Sequence, residues 1–425
     1  TADQLTGSAD LQIFFPDLGL GAVDWFSRFE FRHREVSGDG QAFDVDADVY
    51  HVTGGARWFA APDVALVFDE SWQRVEEEFF SEDDQTGSLM VHGRLPLPLG
   101  PVSIELFAGG SAEAAEAPAK IIKISNGLNE QHPVFLAGLE FEKYVEGKLP
   151  GKYDVQVYAN AQLGDDVRAT EGVRMGTLEM VVTTASPITG LVPEFNVFDL
   201  PFIITSSAGA DAIFDGPVGA KLSALLEPKG LKNLAYMENG FRQLTNSVRE
   251  VKSPEDLKGM KVRTMQNPIH LSAWRALGAN PTPMPFSEVF TAMQQKTIDG
   301  QENPIPTIYL SKFYEVQKYV TLSGHVYGPH ILLINKKLFD SFPGEDQKII
   351  SEAAQASALF QRETNRKMDS DFVAELKKNG MTVTVLTPEQ IKVFQNATKA
   401  VYDEWIPKIG KELVAEFQAA VAGAK

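Results

Sequence analysis

The 425-residue chain contains no cysteine. Disulfides, thiolate catalysis, Cys-ligated zinc and iron–sulfur clusters are therefore excluded. No run approaches the roughly 18–20 apolar residues that span a bilayer, so no transmembrane helix is expected. Catalytic signatures are missing too. There is no Gly-x-Ser-x-Gly elbow, no phosphate-binding glycine loop ending in Lys-Ser/Thr, and no His-Glu-x-x-His. The seven histidines (His33, His51, His92, His132, His270, His325 and His330) do not fall at metal-ligand spacing. A net charge of −18 argues against nucleic acid as a partner, because phosphate binding needs a basic surface. No metal, cofactor or enzyme activity is expected.

Lysine is also missing from the first part of the chain. Residues 1–116 hold 22 acidic residues and 6 arginines, and the first lysine is Lys120; the remainder holds 35 acidic and 33 basic residues. Two units of different character are expected, joined by the small-residue stretch 111–119. Residues 1–110 alternate apolar and charged positions, as at Trp25–Arg34, Phe43–Val49, Val64–Phe68 and Val102–Leu106. Such period-2 runs between turn signals predict an acidic β-meander. A partial outer-membrane-type barrel is the sharper reading, although only five or six strands are visible and such barrels need at least about eight. Asp44-Val45-Asp46-Ala47-Asp48 invites a calcium loop, but Val49 and Gly55 stand where an EF-hand needs glycine and glutamate. A solvated acidic strand face fits better. Arg94–Ala117 has a leader-like order of charge, apolar run and small residues, opposed by its prolines, Glu105 and its internal position.

From Lys120 the period changes. Strands are expected at Ile121–Ser125, Tyr153–Tyr158, Glu179–Thr183 and Lys261–Thr264. Helices are expected at Pro133–Val145, Asp165–Met175, Pro268–Leu277, Phe286–Lys296 and Pro343–Lys378. A last helical region opens at Thr387-Pro388-Glu389, where Thr caps, Pro fits the first turn and Glu suits the dipole. The alternation predicts α/β lobes with mostly parallel sheets, and a cleft at the strand carboxyl ends. Arg242, Arg263 and Asn303 stand near the ends of apolar segments with Gly and Pro around them. A guanidinium fork in such a place can grip a carboxylate, which lysine cannot do bidentately.

Six ordered strings carry a resemblance. They are Gln162-Leu163-Gly164-Asp165-Asp166, Phe241-Arg242-Gln243, Leu257-Lys258-Gly259-Met260-Lys261-Val262-Arg263, Pro281-Thr282-Pro283-Met284, Asp299-Gly300-Gln301-Glu302-Asn303-Pro304 and Lys312-Phe313-Tyr314-Glu315-Val316-Gln317-Lys318. From about Lys120 to Lys425 the chain resembles the substrate-binding receptors of tripartite ATP-independent periplasmic (TRAP) transporters, of the dicarboxylate and sialic-acid (DctP) type. Residues 1–116 lie outside the resemblance. It implies a two-lobed periplasmic-binding-protein fold, a Venus flytrap with a long lobe-spanning helix, preceded by a separate all-β segment. Lobe I is expected at 120–241 and 329–368, and lobe II at 242–328 and 369–425. It further implies a periplasmic protein that captures an organic acid between the lobes and hands it to the membrane subunits of a TRAP transporter. A receptor that docks on a membrane sensor is the alternative, and an α/β enzyme the remote one.

By position, the resemblance makes Arg263 the carboxylate clamp and Asn303 its helper. Arg242 becomes a second cleft arginine and Phe286 an aromatic packed on the ligand's carbon face. Asp166 and Gln266 become readers of hydroxyls, while His325 and Tyr327 lie near the hinge. Sialic-acid receptors carry glutamate at the place of Thr184 and asparagine at that of Gln266. Those two departures point to a smaller acid, a dicarboxylate or a sugar acid. Each assignment has a plainer competitor: an ion-pair arginine for Arg263, a surface arginine or one behind the cleft wall for Arg242, a turn cap for Asn303, core or hinge packing for Tyr327 and His325, core packing for Phe286, and dipole service for Asp166.

Overall fold

The computed structural model describes residues 119–424 throughout and, before them, the backbone of four strands. The chain divides into two units, Thr1–Ala117 and Pro118–Lys425. In the first unit, β1 (Trp25–Ser27) pairs antiparallel with β2 (Gly54–Ala56), and β3 (Ser88–Leu97) with β4 (Gly100–Gly109). The expected strand Val102–Leu106 falls within β4. The leader-like stretch supplies one end of β3 and all of β4, so most of it is hairpin. The readings placed on residues 28–34, 43–49 and 64–68, the calcium-like acidic run among them, lie outside the described residues.

The second unit holds two sheets. The first combines β5 (Lys120–Asn126), β6 (Tyr153–Tyr158), β7 (Met180–Thr184), β8 (Leu231–Phe241) and β14 (Tyr327–Asn335), in the order β6-β5-β7-β14-β8. The second combines β9 (Gln243–Asn246), β10 (Lys261–Thr264), β11 (Asn280–Pro283), β12 (Gly300–Asn303), β13 (Tyr319–Leu322) and β15 (Thr382–Val385), in the order β11-β10-β12-β9-β13-β15. Strands β5, β6 and β7 run parallel, as do β10, β11 and β12, while the strands entering from the opposite lobe, β9 and β14, pair antiparallel.

Local chemistry accounts for the element ends. Asp165 caps the helix Asp166–Met175 through bonds from the backbone N–H groups of Val167 and Arg168, and Gly176 ends it in the left-handed region at φ 80°. Thr387 and Gln390 form a capping box on the helix Pro388–Ala397. The expected helix Phe286–Lys296 differs. It starts as a 3-10 turn at Phe286–Glu288 and becomes α-helical only over Val289–Gln294. Ser287 supplies no cap there, because no side chain takes the first orphan N–H groups.

Apolar residues bury both faces of the first sheet. On β14, Leu332 and Ile334 join Phe141, Ile350 and Ala354 on one side, and Ile331 and Leu333 join Phe198, Ile213 and Phe417 on the other. Strands covered on both faces read as continuous apolar runs, as Ile331–Ile334 does. The 35-residue helix Gly344–Lys378 begins against the first lobe at Ile350 and ends against the second at Leu376.

The C-terminal boundary of lobe II needs correction. Helix Pro388–Ala397 does pack on the second sheet through Phe394. Helices Lys399–Ile409 and Lys411–Gly423 return to the core of the first lobe through Val401, Trp405, Ile409, Val414 and Phe417. Val401, Trp405 and Ile409 recur every four residues and form an apolar stripe. That stripe and the next helix cover the second face of the first sheet, where Phe417 meets Phe198 edge-on at 5.2 Å.

Candidate functional site

Four segments cross between the lobes: the join of β8 to β9, the join of β13 to β14, the long helix, and the join at Thr398 between helices Pro388–Ala397 and Lys399–Ile409. The parallel strands of both sheets point their carboxyl ends at the gap, where open α/β sheets bind ligands. A cavity of about 590 Å³, its open mouth included, occupies that gap. From the first lobe Gly127, Asp166, Thr184, Asn239 and His330 line it; from the second come Arg263, Gln266, Phe286, Asn303 and Thr307.

Arg263 stands on β10, in register with Gln301 of β12. Its side chain is only 3% exposed. Nε and Nη2 both donate to the Met284 carbonyl, at 3.1 and 2.7 Å, which fixes the plane of the guanidinium. It enters no ion pair among the described residues, and Nη1 makes no hydrogen bond there. Burial pushes its pKa down to about 10, with Arg242 adding to the fall and Glu302 and Asp166 opposing it. A desolvated, oriented and unpaired cation on a cavity wall is a receptor for an anion.

Arg242 is placed otherwise. It sits at the β8–β9 crossing, fully buried, with its backbone N–H donated to the Val326 carbonyl of the opposite crossing. Nε donates to Glu302 Oε2, and Nη2 donates to Glu302 Oε1 at 2.9 Å, to the Glu302 carbonyl, and to Asn303 Oδ1 at 3.2 Å. Burial alone would push the Glu302 carboxyl up; Arg242, aided by His325 and His270, holds it well below the usual carboxylate range. Arg242 is therefore not among the cavity-lining residues. Its partner lies sixty positions along the chain, beyond the reach of pattern reading.

Asn303 lines the cavity as expected, and its amide is oriented from both sides. Oδ1 accepts from Arg242, and Nδ2 donates to Gln301 Oε1 at 2.6 Å. Phe286, Gln266, Asp166 and Thr184 line it too. Phe286 leans on Phe313 with centroids 6.0 Å apart, so core packing and wall duty coincide. Asp166 opens its helix and accepts the Thr184 hydroxyl at 2.9 Å. Burial raises the Asp166 carboxyl, against the bonds from Thr184 and the charge of Arg263.

His325 and Tyr327 do not reach the cavity. His325 lies behind the wall between Ser323 at 2.8 Å and Glu302 at 3.2 Å, edge-on to Trp274. Tyr327 packs between Phe241 and Phe214 in the core of the first lobe. Asn239, Thr307 and His330 line the cavity without having been expected there. Helix-and-strand patterning gave no sign of them; the one signal was a polar residue inside an apolar run, as at Pro329-His330-Ile331. Burial pushes His330 down to about 4. Among the described residues, no group of three or more His, Asp or Glu side chains is set to hold a metal ion.

Known proteins share the fold. Residues 124–408 match the model of the bacterial extracellular solute-binding protein family 7, DctP. The 2,3-diketo-L-gulonate-binding periplasmic protein YiaO of Escherichia coli is 36% identical over 303 residues, covering 71% of this chain and 92% of that one. The sugar acid binding protein DctPAm of Advenella mimigardefordensis, solved with galactonate, superposes with a TM-score of 0.71 at 40% identity, over 72% of this chain and 99% of that one. A TRAP periplasmic solute binding protein of Polaromonas, solved with D-erythronate, gives 0.69 at 36% identity, over 71% and 98%. Family and fold alike are those of substrate-binding proteins. The chain belongs to the DctP family of bacterial extracellular solute-binding proteins.

Proposed function

We propose that this chain binds a sugar acid carrying one carboxylate and several hydroxyls, of the aldonate type, and delivers it in the periplasm to TRAP membrane subunits without chemical change. The single observation that carries this reading is the count of available charge in the cavity. Arg263 is the one cation on the wall among the described residues, because Arg242 is spent on Glu302. One guanidinium matches one carboxylate bidentately, and Asn303 Nδ2 can share it.

The opposite wall is acidic. Asp165 and Asp166 line it, and Asp166 holds Thr184. A second ligand carboxylate would meet like charge there, whereas hydroxyls can both donate to and accept from such groups. The relatives named for galactonate, D-erythronate and 2,3-diketo-L-gulonate support a polyol acid.

Calorimetric titration with galactonate, D-erythronate and succinate tests the proposal. At least one aldonate is expected to bind ten or more times tighter than succinate, and Asp166→Asn to narrow that ratio. Succinate binding as tightly as the best aldonate, or silence across the panel, would refute it.

A further inference from the structure

The first lobe touches Thr307 in an unusual way. His132 caps the helix Pro133–Lys148, with Nδ1 accepting the Val134 backbone N–H at 3.2 Å. An acceptor at Nδ1 leaves the ring hydrogen on Nε2. That nitrogen lies 3.2 Å from Thr307 Oγ1 in the second lobe. Nε2 must therefore donate and Thr307 must accept. The Thr307 hydroxyl keeps its own hydrogen, which goes to no acceptor among the described residues, and the side chain faces the cavity. Burial, with His330 beside it at a centroid distance of 6.4 Å, holds the His132 ring well below its ordinary pKa and hence neutral. Three positions away, Asn129 Nδ2 donates across the same gap to the Leu310 carbonyl at 2.9 Å.

We propose that His132 and Thr307 form a latch: closing the lobes makes their bond, and that bond turns the Thr307 hydroxyl hydrogen toward an oxygen of the bound ligand. His132 is the positioning residue and Thr307 the ligand-contacting one. The latch couples closure to recognition. A ligand offering an acceptor at that place favours the closed state in which Thr307 is oriented, and a population shift follows from that differential contact.

Two arms test it, and only the second rests on the sugar-acid reading. The chain has no cysteine, so Leu139→Cys and Val385→Cys, exposed on the first and second lobes, accept a clean spin-label pair in the full chain. Without ligand, Thr307→Val and His132→Asn are expected to shift the label distances toward longer values. Asn keeps an N-cap acceptor but is too short for Thr307. Thr307→Ser, which keeps the hydroxyl, is expected to restore the distances of the parent protein. With galactonate as probe, each of Thr307→Val and His132→Asn is expected to weaken binding about fivefold, the worth of one neutral hydrogen bond. The double variant should be no weaker than either single one. Unchanged distances in both single variants, or affinity losses that multiply to about twenty-five-fold, would overturn the latch. Failure of galactonate to bind the parent protein would overturn the ligand reading instead, and the distances alone then decide the latch.

Discussion

Replacing Arg263 with methionine should move stability and affinity in opposite directions. The burial that pushes this guanidinium down to about 10, well below the ordinary arginine value, corresponds to about 3 kcal/mol held against the folded state. The sign follows from the direction. A base whose folded pKa lies below its unfolded one is cationic in both states at neutral pH, and the folded state carries the cost of the charge. Methionine removes that charge while keeping much of the volume. Against the gain stands the loss of the two bonds to the Met284 carbonyl, at about 1–3 kcal/mol for an acceptor left unmade. The ligand-free variant should then be as stable in urea as the parent, or up to about 2 kcal/mol more stable. Binding should suffer by about 3–5 kcal/mol, the range for stripping one partner from a buried charge pair, or roughly 150-fold to several thousandfold in Kd. Chemical denaturation of the free protein and calorimetric titration with galactonate read the two numbers separately. A variant destabilised by more than about 3 kcal/mol that still binds within threefold of the parent would refute the reasoning, since Arg263 would then be a structural ion-pair residue after all.

Arg242 should behave as the mirror image. Glu302→Gln leaves a fully buried guanidinium without its anion and should cost about 3–5 kcal/mol in urea unfolding, while the paired change Arg242→Met with Glu302→Leu should recover most of it; equal losses in the single and paired variants would contradict this. His330 should govern part of the acid sensitivity. Its folded pKa of about 4 lies below the ordinary 6.5, so the unfolded chain takes up the proton first. Stability is unaffected above about pH 7, falls as pH drops through 6.5, and stops falling near 4. At pH 5 the loss from this ring is about 2 kcal/mol relative to pH 8. His330→Gln should remove that share of the slope in urea unfolding measured at the two pH values. Asp369, raised to about 6 by burial and the charge of Glu238, works in the opposite sense in both proteins and cancels from the difference.

What sequence showed and what it hid divide along a physical line. Strands Tyr153–Tyr158 and Lys261–Thr264 and the cap at Thr387 depend on neighbours within a few residues, and all were legible. So was the cluster of Arg263, Asn303, Phe286, Gln266, Asp166 and Thr184, through a resemblance spread over ordered strings. The bond that withdraws Arg242 from the cleft joins positions sixty apart and depends on strand pairing. The return of Val401, Trp405 and Phe417 to the first lobe depends on which sheet face lay uncovered. Nothing local encodes either. His330 and Thr307 were missed because a lone polar residue in an apolar run has the same appearance whether it satisfies a core or lines a cavity.

Strand register explains why two arginines so alike in context have different fates. Strand β12 pairs with β10 at Arg263↔Gln301 and with β9 at Leu244↔Glu302. Side chains alternate faces along a strand, and paired residues share a face. Arg263, Gln301 and Asn303 therefore fall on one side of β12, and Glu302 falls on the other with Arg242, His270 and His325. The acid that could have neutralised Arg263 is one residue from its register partner Gln301 and turned to the opposite face. A shift of one residue in the β10–β12 pairing would bring Glu302 beside Arg263 and leave the cavity without a free cation. On its other side β12 lies close against β9 at Gly300, where a Cβ would stand 2.2 Å from the Thr245 carbonyl oxygen, a clash that only a backbone shift could relieve. The free charge on the cavity wall thus depends on the β10–β12 pairing as much as on the arginine itself.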